Sequence, residues 1–435
     1  MWRISLIYIA LCGCPIGLSA IELSSREYEH LEALYLHLHE NPELSLNEKH
    51  TAARMASELS GLGFEVTEKF GGTGVVAVLS NGAGPTILIR ADMDALPVRE
   101  QTGLPYASSV LITTSDGRPQ PVMHACGHDV HMTVMVGTAR QLAVSRHRWT
   151  GTIIMIAQPA EELGVGANAM IKAGLFTKFP RPDFNLALHV SASIPAGKVG
   201  YIAGPALANV DSLDITVHGI GGHGAYPHSV RDPIVLSAQI VTALQTIVSR
   251  ELSPLEPAVL SVGSIHGGHK HNVIPDKVNM QLTLRSYTSA VRLQMIGAIK
   301  RITKNLAIAA GIPADRMPEV LIKDEYTPVA YNDPDLMHRL AAIFRGEIGA
   351  ANVIESSPVM GGEDFGRYGQ VKPKIPSVIY WLGGVDRALY KKSQTNGEPL
   401  PSLHSPLFAP EYGITIRTGV TVMTAAALNL LRDID

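Results

Sequence analysis

Between His124 and His131 the chain reads His-Ala-Cys-Gly-His-Asp-Val-His, which gathers histidines, an aspartate and the only cysteine beyond the N-terminal leader. Thiolate, imidazole and carboxylate are the side chains that hold borderline-soft divalent cations. Gly127 lets the backbone turn tightly, so that Cys126 and His128 can converge on one point. Past Asp129 the stretch turns apolar and helix-compatible, which would put the ligating groups where a loop enters a buried helix. Alone, this cluster does not decide the matter. A solitary cysteine or histidine in apolar surroundings is more often a packed core residue than a ligand, and the cluster only evens the two readings.

Further along, Glu161 and Glu162 directly follow an apolar run and Gln158-Pro159. Consecutive side chains on an extended segment point opposite ways. At a bending loop, one glutamate can then bind a metal while its neighbour faces a metal-bound water. That arrangement suits hydrolysis, because a metal lowers the pKa of water to ~7 and a nearby carboxylate accepts its proton. A solvated surface pair is the plainer alternative. Other groups with similar chemistry are Asp92 and Asp94, His189, His404, the histidines His223 and His228 in a glycine-rich stretch, and Glu363-Asp364 after two glycines. A cysteine hydrolase with Cys126 as nucleophile, or a non-catalytic peptide- or metal-binding protein, would use some of the same residues.

The elements that must carry these groups read as follows. Helical spacing covers 27–39 and ends at Asn41-Pro42, and a second helix spans 48–62. Apolar runs at 75–79, 86–91, 152–157 and 185–188 read as buried strands. Several end in an acid or a histidine, the place where open α/β sheets present their active sites. From 211 onward the order changes to strand 213–219, helix 232–251, strands 258–265 and 277–287, helix 289–310 and strand 317–324. That β-α-β-β-α-β succession matches the ferredoxin-like unit. Strand 377–382 and a final helix at 418–431 close the chain. The expected fold is therefore α/β: a catalytic domain with a mostly parallel central sheet flanked by helices, plus an inserted α+β ferredoxin-like lid or dimerisation domain. The expected divisions are a signal peptide at 1–20, catalytic halves at 21–207 and 321–435, and the insertion at 208–320.

A length of 435 residues favours two domains, while 46% hydrophobic and 17% charged residues describe a globular chain. Net charge of −3 gives no electrostatic case for nucleic acid, and no stable membrane span is expected. The first twenty residues carry Arg3, a short apolar run and Ser19-Ala20, which reads as an export leader. Export to the periplasm or beyond is the expectation, with Leu11-Cys12-Gly13-Cys14 faintly resembling a lipid-attachment box. Loss of the leader would remove Cys12 and Cys14 and leave Cys126 without a disulfide partner.

Taken together, Arg90-Ala-Asp92-Met-Asp94-Ala-Leu-Pro97, His124-Ala-Cys126-Gly-His128-Asp129, Gln158-Pro-Ala-Glu161-Glu162, Gly222-His223-Gly-Ala-Tyr-Pro-His228, Asn272-Val-Ile-Pro-Asp276 and Glu363-Asp364-Phe365 resemble the aminoacylase/carboxypeptidase family of dinuclear metallo-amidohydrolases. The branch most similar holds hippurate and indole-acetyl-amino-acid hydrolases. The resemblance implies two divalent ions (zinc, manganese, cobalt or nickel) held by Cys126, His128, Glu162, His189 and His404, with the cysteine bridging. It implies Glu161 as general base and Asp94 as a residue orienting a ligand, while His124 and His131 read as supporting residues. It further implies substrate contacts from His223, Asn272 and Arg285, and a homodimer or homotetramer. The implied reaction is hydrolysis of N-acyl amino acids. A dipeptidase and an N-acetyl-diaminopimelate-type deacetylase are alternatives with the same chemistry. The sequence departs from the family's pattern at Gly362, where serine is common, and at His269-Lys270-His271 before Asn272.

Overall fold

Runs of Val, Ile and Leu that alternate with helical segments favour a buried, largely parallel sheet with helices on both faces. The computed structural model, which describes residues 23–324 and 326–432, contains such a sheet of eight strands. In spatial order these are Glu65–Thr67, Val75–Asn81, Gly151–Gln158, Thr86–Asp92, Phe184–Pro195, Ser377–Val385, Val199–Tyr201 and Val353–Glu355. The four central strands, Gly151–Gln158 through Ser377–Val385, run parallel. Their register sets Asp92 beside Gln158 and Trp381 beside His189, so functional groups gather at one end of the sheet. The leader expected at residues 1–20 lies outside the described residues. Among those described, no helix is long and apolar enough to cross a membrane.

Apolar residues pack on both faces of the sheet. One core holds Leu31, Leu34, Ile87, Ile89, Val134 and Val420; the other holds Val76, Leu88, Ile154, Phe365 and Tyr368. The helix His128–Val144 is buried nearly all round, because the helices Ser25–Glu40 and Tyr412–Leu430 cover the side turned away from the sheet. Ser24 begins the first of these with a reciprocal cap: its hydroxyl accepts from the Glu27 N–H, while the Glu27 carboxylate accepts from the Ser24 N–H.

A second sheet, all antiparallel, has the spatial order Ala258–His266, Lys277–Ser286, Asn209–His218 and Glu319–Ile322. Burial alternates along Asn209–His218 with a period of two, so one face meets a core and the other is open. The helices Pro233–Thr246 and Ser289–Ala309 pack together on the covered face around Leu213, Ile240, Met280 and Met295. This is the ferredoxin-like order expected from the sequence, and its last strand ends at Ile322. The chain enters and leaves it side by side. Val210 N–H donates to the Thr327 carbonyl at 2.8 Å, and Thr327 N–H donates back at 3.0 Å.

Several boundaries differ from the sequence reading. The helix expected over 232–251 is α-helical only at Pro233–Thr246 and finishes in a wider π turn, Ile247–Glu251. The final helix starts earlier, at Tyr412. Two further helices, Pro334–Ile348 and Arg387–Asn396, begin at Asp333 and Asp386, whose carboxylates accept from the N–H groups of the first turn.

Candidate active site

The loop before the buried helix makes the first half of the site. Gly127 takes a left-handed φ of 78°, and a Cβ there would lie 2.3 Å from Val190 Cγ1. Only glycine permits this turn. It allows Cys126 to look back toward the sheet while His128 opens the helix. His128 Nδ1 lies 2.8 Å from the Asp94 carbonyl, which can only accept, so Nδ1 carries the proton and Nε2 is the free lone pair. His189 is set the same way: Nδ1 donates to the Val190 carbonyl at 2.8 Å, and Nε2 faces Cys126 Sγ at 3.6 Å. Such fixing of the second ring nitrogen is the usual preparation of a metal-binding imidazole.

Glu161 and Glu162 stand just past the strand Gly151–Gln158, at a sharp bend. Ala160 has a φ of 50°, unusual for a residue with a side chain, and its N–H donates to the buried Glu48 carboxylate at 2.9 Å. Beyond the bend, the Glu162 N–H donates to Asp94 Oδ2 at 3.0 Å, an oxygen that also accepts from Ser45 at 2.6 Å. Asp94 thus holds the backbone of Glu162 and orients His128. His404 arrives on a separate loop, with a φ of 66° and its N–H donating to the Ala125 carbonyl at 2.8 Å. Its Nε2 lies 3.5 Å from Glu162 Oε1, and His128 Nε2 lies 3.9 Å from the same oxygen.

The five expected ligands therefore meet, although they span 126 to 404 in the chain. They form two trios, Cys126–His128–His189 and Cys126–Glu162–His404, with donor atoms in each within 4.8 Å of one another. Cys126 belongs to both. A carboxylate oxygen of Glu161 lies within the same distance of His128 and Glu162.

Do these residues suit cations? His128 Nε2 and Glu162 Oε1 are buried without a hydrogen-bond partner. An unmet buried polar atom costs about 1–3 kcal/mol, which a cation among them would offset. The charges agree. Burial raises Glu162 to about 7, and burial holds the Cys126 thiol well above its usual range. Burial also opposes charge on His128, yet Asp92, Asp94 and Glu162 together lift it to about 10. All three groups are in want of positive charge, and a divalent ion supplies it.

Asp92, His128 and His131 form another compact trio, but His131 has no lone pair to give. Its Nε2 accepts from the Val190 N–H at 2.8 Å and its Nδ1 donates to Asp92 at 2.6 Å. Burial accordingly lowers it to about 3. His131 is a supporting residue that ties the helix to the strand carrying His189. His124 is buried with neither ring nitrogen hydrogen-bonded.

A network that motif reading left without a role lies behind Glu161. Arg90, fully buried, donates to Asp92 at 2.7 Å, Glu363 at 2.8 Å and Asp364 at 3.2 Å. Gln158 donates to Asp364 at 2.7 Å. Glu161, Glu363 and Asp364 crowd within 4.8 Å of one another, and burial, then Glu363 and Glu162, raises Glu161 well above the usual carboxylate range. The residues were quotable as motifs. Their mutual contact was visible only in three dimensions.

Of the expected substrate contacts, Arg285 stands closest to the site. A Cβ at Gly362, which lines the cleft, would come within 3.2 Å of Arg285 Nη1. Burial lowers its pKa with no carboxylate to offset the effect. His223 and Asn272 are exposed and do not line the cleft of their own chain. His223 sits on the two-stranded ribbon Gly222–His223 and Val273–Ile274, and Asn272 directly precedes its second strand, its carbonyl accepting from the Gly224 N–H at 2.9 Å.

The fold and the site define a metal-dependent amidohydrolase. The chain belongs to the peptidase family M20/M25/M40, whose model matches residues 88–396. Among curated relatives, thermostable carboxypeptidase 2 of Saccharolobus solfataricus is 38% identical over 350 residues, covering 80% of this chain and 84% of that one. The IAA-amino acid hydrolase ILR1-like 2 of Arabidopsis thaliana is 35% identical over 392 residues, covering 88% and 83%. Among solved structures, a dinuclear metal-binding peptidase of the M20 family from Bacillus subtilis superimposes with a TM-score of 0.74 at 29% identity, over 94% of this chain and 99% of that one.

Proposed function

We propose that this protein hydrolyses the amide bond of N-acyl amino acids at a pair of divalent cations, with Glu161 as general base. The reading rests on one observation above all: Cys126, His128, Glu162, His189 and His404 converge, and a further carboxylate stands beside them. Held by these five residues, zinc, manganese, cobalt or nickel would polarise the amide carbonyl and bring the pKa of water toward ~7. Glu161 takes the proton of the attacking water on its carboxylate and hands it to the departing amide nitrogen. Its carboxyl sits against Glu363 and Asp364, so acquiring a proton relieves a like-charge contact. In this reading Arg285 grips the carboxylate of the amino-acid half in a bidentate pair, which its nearness to the cleft residue Gly362 supports.

His223 and Asn272 act in this reading across a subunit boundary, reaching the site of a second copy in a homodimer or homotetramer. Their exposure on the ribbon supports that role, as do Ile234, Val235 and Val273, which are exposed on the same small domain. The leader supports export as the protein's destination. A dipeptidase or an N-acetyl-diaminopimelate-type deacetylase would use the same groups. A screen of N-acyl amino acids and free dipeptides with metal-reconstituted protein separates these.

The base is tested by Glu161→Gln. Turnover is expected to fall by roughly two to four orders of magnitude while bound metal, measured by elemental analysis, stays at the wild-type stoichiometry. Wild-type turnover in that variant would overturn the assignment.

A further inference from the structure

We infer that a second cavity, walled by residues 43–51, binds a free amino acid with an apolar side chain and thereby steadies the residues that support the metal site. The site stands on its own geometry. The choice of ligand rests on the amide-hydrolase reading above, whose reaction releases such an amino acid. The cavity has a volume of about 870 Å³ and shares no residue with the cleft that holds the proposed ligands. It lies between the end of the helix Ser25–Glu40 and the start of the helix Lys49–Ser60, against the strand Leu111–Thr113. Leu38, Leu44, Val110 and Ile112 supply apolar lining. His37 and His50 line it too, and neither ring makes a hydrogen bond among the described residues. Glu43 joins them. One of its carboxylate oxygens accepts from the Thr51 N–H at 2.8 Å, and the other takes no hydrogen bond among the described residues. Neither lysine nor arginine lines the cavity among the described residues. A carboxylate with a free oxygen calls for an ammonium, and each imidazole can donate an N–H to a carboxylate. Apolar lining with a few placed polar groups is the usual make-up of a small-molecule pocket. An α-amino acid with a branched or aromatic side chain answers all three features and carries no net charge. A dianion or a polyamine would leave charge unanswered.

One segment serves both places with different residues. Glu43, Leu44 and Asn47 line the cavity. Between and beyond them, Ser45 donates to Asp94 Oδ2 at 2.6 Å, and Glu48 accepts from the Ala160 N–H at 2.9 Å. Asp94 in turn holds the Glu162 N–H, and Ala160 directly precedes Glu161. The segment is tightly wound: Leu46 has a φ of 67°, and the Asn47 N–H donates to the Leu44 carbonyl at 2.9 Å. Leu44 pairs with Ala95 in a parallel bridge, and the Ala95 N–H donates to the Glu43 carbonyl at 2.8 Å. An occupant seated against Glu43 and Leu44 therefore favours the arrangement in which Ser45 and Glu48 reach their partners. A ligand that prefers one arrangement of a segment shifts its population that way. By linkage, cations and amino acid then each strengthen the hold on the other.

The test is equilibrium dialysis of radiolabelled leucine against metal-loaded enzyme. Two variants alter the cavity without touching the metal site. Ile112→Trp fills it from the hairpin, and Glu43→Gln removes the charge while keeping an acceptor for the Thr51 N–H. We expect saturable binding that Glu43→Gln weakens by roughly tenfold and that Ile112→Trp abolishes. Glycine lacks the apolar side chain and 4-methylpentanoate the ammonium group, so each should compete roughly tenfold less well. Saturating leucine should also slow the loss of metal to a chelator by roughly fivefold in the wild type, and not in Ile112→Trp. Metal binding by free leucine acts equally on both proteins, so the difference between them reports the cavity. Absence of leucine binding, or wild-type binding in both folded variants, overturns the inference, as does metal loss that leucine slows equally in wild type and Ile112→Trp. Each of these results leaves the amide-hydrolase reading untouched. That reading fails instead if the wild-type enzyme cleaves no N-acyl amino acid, a result that leaves leucine binding in the cavity standing.

Discussion

Asp94 shows how much one carboxylate contributes without touching a proposed cation. Its backbone carbonyl fixes the proton of His128 on Nδ1, and its Oδ2 holds the Glu162 N–H at 3.0 Å. Removing the side chain leaves the carbonyl in place but frees Glu162 and strands Ser45. Outer residues of this kind typically contribute a factor of ~10–100 in metal affinity. Asp94→Ala is therefore expected to bind zinc that much more weakly in competition with a chromophoric chelator; an unchanged affinity in folded protein would refute the supporting role. Residues at this scale were unevenly legible. Cys126, His128, Glu162 and His189 could be noticed from type and from their place beside a glycine or a strand end, but His404 carries no such mark, and the five were joined into one ligand set only by the family resemblance. Glu48 could not be noticed in that way. It looks like any acid before a helix, and its part in pinning the left-handed Ala160 depends on a contact spanning residues 48 to 160.

At the scale of elements, the decisive feature is a turn rather than a strand or helix. Gly127 gives the loop its left-handed step, and Val190 fills the space where a side chain would project. Gly127→Ala meets both obstacles at once, backbone strain of about 1 kcal/mol or more and overpacking of about 1–3 kcal/mol. A loss of about 2–4 kcal/mol in unfolding free energy by urea titration is expected, together with weakened metal retention, since Cys126 and His128 flank the turn. A neutral effect on both would show that the loop relaxes freely. Strand positions were readable from apolar runs, and the ferredoxin-like order from its alternation of periods. Helix ends were less so. The Asp232–Glu251 pattern continues unbroken in sequence, but the backbone widens to a π turn at Ile247, and nothing in the residue types marks the change. The helix Pro334–Ile348, absent from the sequence reading, does carry a start signal in Asp333-Pro334, an N-cap followed by proline.

On the scale of the molecule, the site is assembled from distant stretches while a second sheet hangs between them. The large sheet builds the cage alone: all five proposed ligands lie before Asn209 or after Ile322. The small sheet contributes Arg285 beside Gly362, and the ribbon attached to it carries His223, with Asn272 next to its second strand. In the proposed function this division separates holding cations from recognising the substrate's amino-acid half. The paired hydrogen bonds between Val210 and Thr327 give that division a physical edge, because the path out and the path back cross it as neighbours. Excision should then be tolerated. Joining 210 to 327 through a short glycine–serine link closes only a small gap, and loop closure of that length costs little. The shortened chain is expected to fold, to melt in a single transition and to load two cations per molecule by native mass spectrometry, yet to lose hydrolysis of carboxylate-bearing substrates. A miniature that cannot retain cations would mean that the detour, and not the large sheet by itself, keeps the cage in shape.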